Sequence, residues 1–223
     1  MKTKYLNLFT ILTLSIVLGS CKNKADEATT SEAEIVTVAD EESQKYSADV
    51  TKSTIEWKGF KPTGIHNGTI NIEQGSFMIK DGAIQSGTFL IDMKSIEVLD
   101  MEGEYKEKLE KHLMGTVEGK EDHFFDVNKF PTATFEVTGA ETINGQTNLS
   151  GNLTIKGIKN NITFPVTVSN EKDMLTLTSD TFTIDRTKWN VNYGSKSIFD
   201  DLGDSFVNDE IELKINLVTS KNG

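Results

Sequence analysis

The chain of 223 residues contains one cysteine, three prolines and three histidines. A single cysteine excludes an internal disulfide framework, and three histidines are too few for a His-rich metal store. So little proline also excludes a collagen-like or Pro-rich disordered chain. Basic charge is scarce: 34 acidic residues against 23 basic ones leave a net charge of −11. Such a chain repels phosphate backbones, so nucleic acid is not an expected partner. Long apolar runs are missing too, since the stretch over residues 6–18 falls short of the roughly 20 residues that cross a bilayer. What is abundant is threonine, 26 residues of it, which leans toward strands. The length fits one all-β domain with some chain left over.

That surplus lies at the N-terminus. Lys2 and Lys4 precede the apolar stretch, which ends in Leu18-Gly19-Ser20-Cys21. This is the pattern of an export signal, and it resembles the lipobox of bacterial lipoproteins. The resemblance implies a signal peptide over residues 1–20, cleavage before Cys21, and acylation of that residue, the only cysteine. Two or more acyl chains, at about 0.8 kcal/mol per buried CH₂, anchor durably where one exchanges. The expected location is the bacterial cell envelope, lipid-anchored, on the outer membrane or the periplasmic face. Residues 22–44 hold seven acids and no aromatic. Residues 21–45 therefore read as the lipidated cysteine followed by a disordered, solvated tether, which fully stretched reaches roughly 75 Å.

From Tyr46 to Gly223 the pattern changes to period-two alternation. It is cleanest over residues 146–156, where Leu149, Gly151, Leu153 and Ile155 alternate with polar residues. Ile162, Phe164, Val166 and Val168 repeat it, as do Ile211, Leu213, Ile215 and Leu217. Further strands are expected over residues 54–60, 66–79, 84–93, 132–139 and 174–185. The turn pairs Asp81-Gly82 and Asn144-Gly145 are hairpin signals, so sequence neighbours should pair antiparallel. Eight such strands leave exposed edges unless the sheet closes. The expectation is a closed, eight-stranded, antiparallel, lipocalin-like barrel. Residues 102–114 break the alternation and predict one short helix between strands 3 and 4, with Leu109 and Leu113 on its packing face. Pro165, inside a good strand, predicts a bulge or an unpaired position.

Several ordered motifs then resemble one family. Trp57-Lys58-Gly59, Gly64-Ile65-His66-Asn67-Gly68 and Gly87-Thr88-Phe89-Leu90-Ile91-Asp92-Met93 are similar to the first half of the YceI-like family. Lys111-His112-Leu113, Phe124-Phe125-Asp126 and Phe130-Pro131-Thr132-Ala133-Thr134-Phe135 resemble its middle. Gly151-Asn152-Leu153-Thr154-Ile155-Lys156-Gly157 and Ile184-Asp185-Arg186 complete the series, which extends over residues 46–219. The resemblance implies a secreted lipocalin-like barrel whose apolar interior holds a polyisoprenoid, an isoprenoid quinone or a fatty-acid amide. It implies no catalysis. Two departures stand out: a longer, charged joint over residues 114–123, and Asn161 where the family often has proline.

The expected pocket residues are Trp57, Phe89, Ile91, Phe135, Leu149, Leu153, Ile162, Phe164, Leu213 and Ile215. Alternation alone does not separate a hollow interior from a filled one, so a solid barrel acting as a protein-interaction module on the envelope stays open as the alternative. His66, His112 and Arg186 are the expected polar contacts at the rim, each with an ordinary structural reading beside it. His112 and His123, with Glu110, Asp122 and Asp126 nearby, lack the spacing of any known metal motif, so no metal ligand is expected. The acidic residues Asp200, Asp201, Asp204 and Asp209 likewise lack the spacing of a calcium loop. Nothing resembles G-x-S-x-G, so no catalytic residue is expected and the chain does not read as an enzyme. No cofactor is expected beyond a bound isoprenoid lipid or quinone. The expected partners are that lipid and the membrane, and the sequence leaves homodimer formation open.

Overall fold

The computed structural model describes residues 25–222, so the signal-peptide and Cys21 expectations lie outside the described residues. In chain order the strands are β1 (Asp26–Glu27), β2 (Thr29–Glu32), β3 (Gln44–Ala48), β4 (Thr54–Lys61), β5 (Gly64–Lys80) and β6 (Ala83–Val98). Helix α1 (Gly103–Met114) follows, then β7 (Thr132–Ile143), β8 (Gln146–Ile155), β9 (Ile158–Glu171), β10 (Met174–Ser179), β11 (Phe182–Asp185) and β12 (Glu210–Lys221). Strands β5 to β9 pair in sequence order, and β9 continues through β10 to β12. β12 pairs back with β3 and β4, which both pair with β5. The sheet thus closes into a ring of eight strand positions, one shared by β3 and β4 and another by β10 and β11.

The ring is mixed rather than purely antiparallel, and the reason lies at one seam. β10 stays on β9 only from Val166 onward, after which β11 diverges while keeping its pairing with β12. The gap is filled by residues 26–32. β2 pairs antiparallel with β9, from Thr29 opposite Thr163 to Glu32 opposite Asn160, and β1 pairs parallel with β11. β9 and β11 run in opposite directions, so any strand between them must be parallel to one of them. This also corrects the tether expectation, because residues 26–37 lie on the ring. Ala28 is buried in the core, the Asn152 amide accepts the Glu34 N–H (2.9 Å) and donates to the Glu34 carbonyl (2.7 Å), and the Thr37 hydroxyl donates to the Val137 carbonyl (3.1 Å).

The alternation translates directly into packing. Asp81-Gly82 and Asn144-Gly145 have positive φ at both positions, as primed hairpin turns require, and Lys156-Gly157 makes a third turn of this kind. The large inward aromatics lie opposite glycines across the ladder. Trp57 faces Gly68, Phe89 faces Gly75, and Phe77 faces Gly87. A Cβ on Gly75 would stand 2.1 Å from the Phe89 ring, so the glycines make room for the rings. Phe77 and Phe89 meet edge to face at 4.7 Å and, with Val137, Leu149, Val166, Leu175 and Leu177, make one half of the interior solid. Helix α1 sits between the third and fourth ring positions and ends at Gly115, whose φ of 69° gives the left-handed cap. Pro165 makes no bulge. It pairs in register with Asn148, and its other side is where β9 passes from β2 to β10, so few ladder partners are lost.

Candidate functional site

The other half of the ring is hollow. It encloses a cavity of about 280 Å³ with an almost wholly apolar lining. Eight of the ten expected pocket residues border it: Trp57, Ile91, Phe135, Leu153, Ile162, Phe164, Leu213 and Ile215. Phe89 and Leu149 do not, and belong to the solid half. Period-two alternation says which face of a strand points inward and carries no information about height along the ring. The same rows continue into β11, where Phe182 stacks on Phe164 with ring centres 4.4 Å apart. Trp189, the last residue of a short 3₁₀ turn (Arg186–Trp189), borders the cavity and donates its indole N–H to the Leu153 carbonyl (2.9 Å).

His66, His112 and Arg186 all border the cavity, each in a defined setting. The His66 Nδ1–H donates to Asp100 (2.9 Å), whose other oxygen accepts the Asn67 N–H (2.8 Å). Burial alone would raise the Asp100 pKa, but the Asn67 and His66 hydrogen bonds outweigh it and hold the carboxyl below its usual range. Arg186 is 2% exposed. Its guanidinium donates to the carbonyls of Asn208 (2.9 Å), Val191 and Val207 (3.0 Å), with Asp209 at 3.7 Å. Burial lowers its pKa, against the attraction of Asp209 and Asp185. Its donors are largely committed to the backbone of residues 191–208, so its first role is to hold that loop over the open end.

His112 on α1 and His123 on the long joint meet at 2.9 Å through Nε2 and Nδ1. The Tyr193 ring stacks on His123 at 4.3 Å and meets His112 edge-on at 4.8 Å, and Phe124 packs against the same group. Burial, then the charges of His123, Lys120 and Lys61, lowers the His112 pKa. Glu110 turns away to accept the Val98 N–H, and among the described residues no three His, Cys, Asp or Glu side chains converge as metal ligands would. The joint is pinned to the helix end by Phe125 N–H to Leu113 and Val127 N–H to Met114. Lys156 donates to the carbonyls of Asp122 (3.0 Å) and Asn190 (3.1 Å), tying the joint and the 190–209 loop together. Sequence reasoning missed Tyr193, Trp189 and Val191 as lining residues. The available signal was three apolar residues spaced over a stretch otherwise rich in Asn, Gly, Ser and Asp.

Residues 46–219 match the YceI-like domain, and the chain belongs to that family. No curated protein matches it in sequence. Among solved structures it is similar to BcnA of Burkholderia cenocepacia, with 24% identity, 77% of this chain and 98% of that one covered, and a TM-score of 0.60. It is also similar to a polyisoprenoid-binding domain from Saccharophagus degradans implicated in plant cell wall breakdown, at 14% identity, with coverage of 79% and 98% and a TM-score of 0.56. At these identities the likeness establishes the fold.

Proposed function

We propose that this protein binds an apolar lipid, a polyisoprenoid or an isoprenoid quinone, in the hollow half of its ring and carries or stores it in the bacterial cell envelope. The observation that carries this reading is the apolar cavity bordered by imidazoles at one end. Family membership and the polyisoprenoid-binding relative support the choice of ligand class. Affinity comes mainly from burial, at about 25 cal/mol per Å² of apolar surface less the cost of ordering the chain. The polar head stays at the open end, near His66 and His112, while Arg186 holds the loop that frames it. No step breaks or makes a covalent bond, so the role is binding and not catalysis.

Acylation of Cys21 would place the protein on a membrane, on the outer membrane or the periplasmic face. The docking of residues 26–37 changes the geometry expected of the tether. Four residues separate Cys21 from Asp26, five Cα-to-Cα steps, so the ring is held within roughly 18 Å of the anchor and not at the end of a long linker. Labelled palmitate should enter the wild-type chain and fail to enter Cys21→Ser. Trp57 and Trp189, the only tryptophans, both border the cavity, so a short-chain prenyl quinone should quench their fluorescence saturably at one molecule per chain. Quenching that stays linear in quinone concentration would contradict the reading.

A further inference from the structure

The wall of the cavity is not uniformly built. At the open end the covering segments are tied down by side-chain contacts: the buried Arg186 to three carbonyls, Lys156 to two, and a cluster of the partly buried His112 and His123 with Tyr193 and the buried Phe124. At the seam between β9 and β11 the gap between the strands is covered by residues 26–32, whose side chains are small or charged and none of which borders the cavity itself. Only Ala28 among them is buried. The flanking strands present Ile162, Phe164, Phe182 and Ile184, and all four border the cavity. The segment covering that height of the wall is therefore held mainly by short backbone ladders, by one solvent-exposed ion pair from Glu27 to Lys188 (3.5 Å) and, further on, by the Asn152 amide.

We infer that residues 26–32 form a removable strap, and that the seam it covers is the lateral portal through which the apolar ligand passes into and out of the cavity. Adjacent strands lie about 4.8 Å apart, so taking out one strand leaves roughly 9.6 Å between the β9 and β11 backbones, wide enough for an extended hydrocarbon chain once the stacked Phe164 and Phe182 rings behind the strap part. Short, poorly buried elements of this kind open locally while the rest of a fold stays closed. A cavity of about 280 Å³ is at the small end for a lipid-sized ligand, and an opened seam extends it sideways. The strap lies outside the matched family domain and leads directly toward Cys21, so an anchor there pulls on it before any other part of the fold.

The inference rests on the lipid-binding reading, and its test separates the two. Thr29 and Thr163 are direct partners across the β2 to β9 ladder and face away from the cavity. Directly opposed residues in an antiparallel pair have the Cα spacing that a disulfide spans. In the full chain carrying Cys21→Ser, Thr29→Cys with Thr163→Cys should lock the strap when oxidised. Exchange of a short-chain prenyl quinone, followed by tryptophan quenching, should slow at least tenfold in the oxidised form and recover on reduction. Asn152→Ala, which frees the continuation of the strap without touching the cavity, should speed exchange severalfold at little change in affinity. Equal rates in oxidised and reduced protein would overturn the portal. If no form binds quinone, the lipid-binding reading fails instead, and hydrogen exchange still judges the strap. Amides of residues 28–32 should exchange at least a hundredfold faster than those of β7 and β8, and equal protection would overturn it.

Discussion

Truncating one aromatic in each half of the ring separates packing from binding. Phe89 is 5% exposed, sits over Gly75, meets Phe77 edge to face at 4.7 Å and does not border the cavity. Phe89→Ala removes a fully packed ring and leaves a void that the glycine beneath cannot fill. The expected cost is about 4 kcal/mol, the middle of the usual range for such changes. Phe135 rests on Gly151 and lies 5.9 Å from Phe164, but its other side borders the cavity and it is half-buried. It has already forgone part of its contacts, so Phe135→Ala should cost only about 2 kcal/mol. For a domain of this size each kcal/mol moves the midpoint by about 2–4 °C, so the melting temperatures should fall by about 8–16 °C and about 4–8 °C. Urea unfolding gives the free energies, and quinone titration on the surviving fold gives affinity. Phe135→Ala should weaken binding and Phe89→Ala should leave it nearly unchanged. Equal stability losses, with binding untouched by Phe135→Ala, would refute the division into a solid and a hollow half.

Arg186→Met should destabilise the fold by more than about 3 kcal/mol, because three carbonyls lose their donor and Asp209 loses its positive neighbour inside the protein. Hydrogen exchange should localise the damage to residues 190–209. The lowered His112 pKa means that the unfolded chain takes up that proton more readily than the folded one. Its contribution to stability is therefore complete above the unfolded value near 6.5 and falls as pH drops toward the folded one. Between pH 7.5 and 5.5, His112→Asn should lose less stability than wild type, and an unchanged difference would contradict the assignment. Gly68→Ala places a Cβ 1.7 Å from the Glu97 carbonyl oxygen and 2.8 Å from Trp57. Since the first obstacle is backbone, the loss should reach or exceed about 3 kcal/mol, the upper end for overpacking, and a wild-type melting temperature would be inconsistent with the close β5 to β6 approach.

Much of the ring was legible because half-buried strands announce themselves by alternation, and because Asp81-Gly82 and Asn144-Gly145 fix where the chain turns back. The helix was legible from its break in that pattern. The strap was not. Residues 26–32 carry no apolar periodicity, since only Ala28 is buried in the core and the rest of the attachment is backbone pairing to strands far away in sequence and one surface ion pair, Glu27 with Lys188. The buried side-chain lock on its continuation, Asn152 with Asn161 beneath it, reads in the sequence as two ordinary polar positions on the outer face of β8 and β9. Asn161 was nevertheless visible as a departure from the family pattern, and the structure places it under the strap's continuation. The division of the interior was hidden for a different reason. Phe89 and Phe135 have the same alternation and each lies over a glycine, Gly75 and Gly151 respectively, and only the closing geometry of the ring decides which of them meets a neighbour and which meets space.

The most direct test of the central claim is native mass spectrometry with organic extraction on the protein purified from an isoprenoid-containing bacterial host. A hollow, apolar half-ring predicts a co-purifying adduct of one prenyl lipid or quinone per chain, lost on extraction and restored by adding the lipid back. A bare mass, followed by no uptake of added prenyl lipid or quinone, would contradict the account and leave a protein-interaction role for a ring whose interior holds nothing.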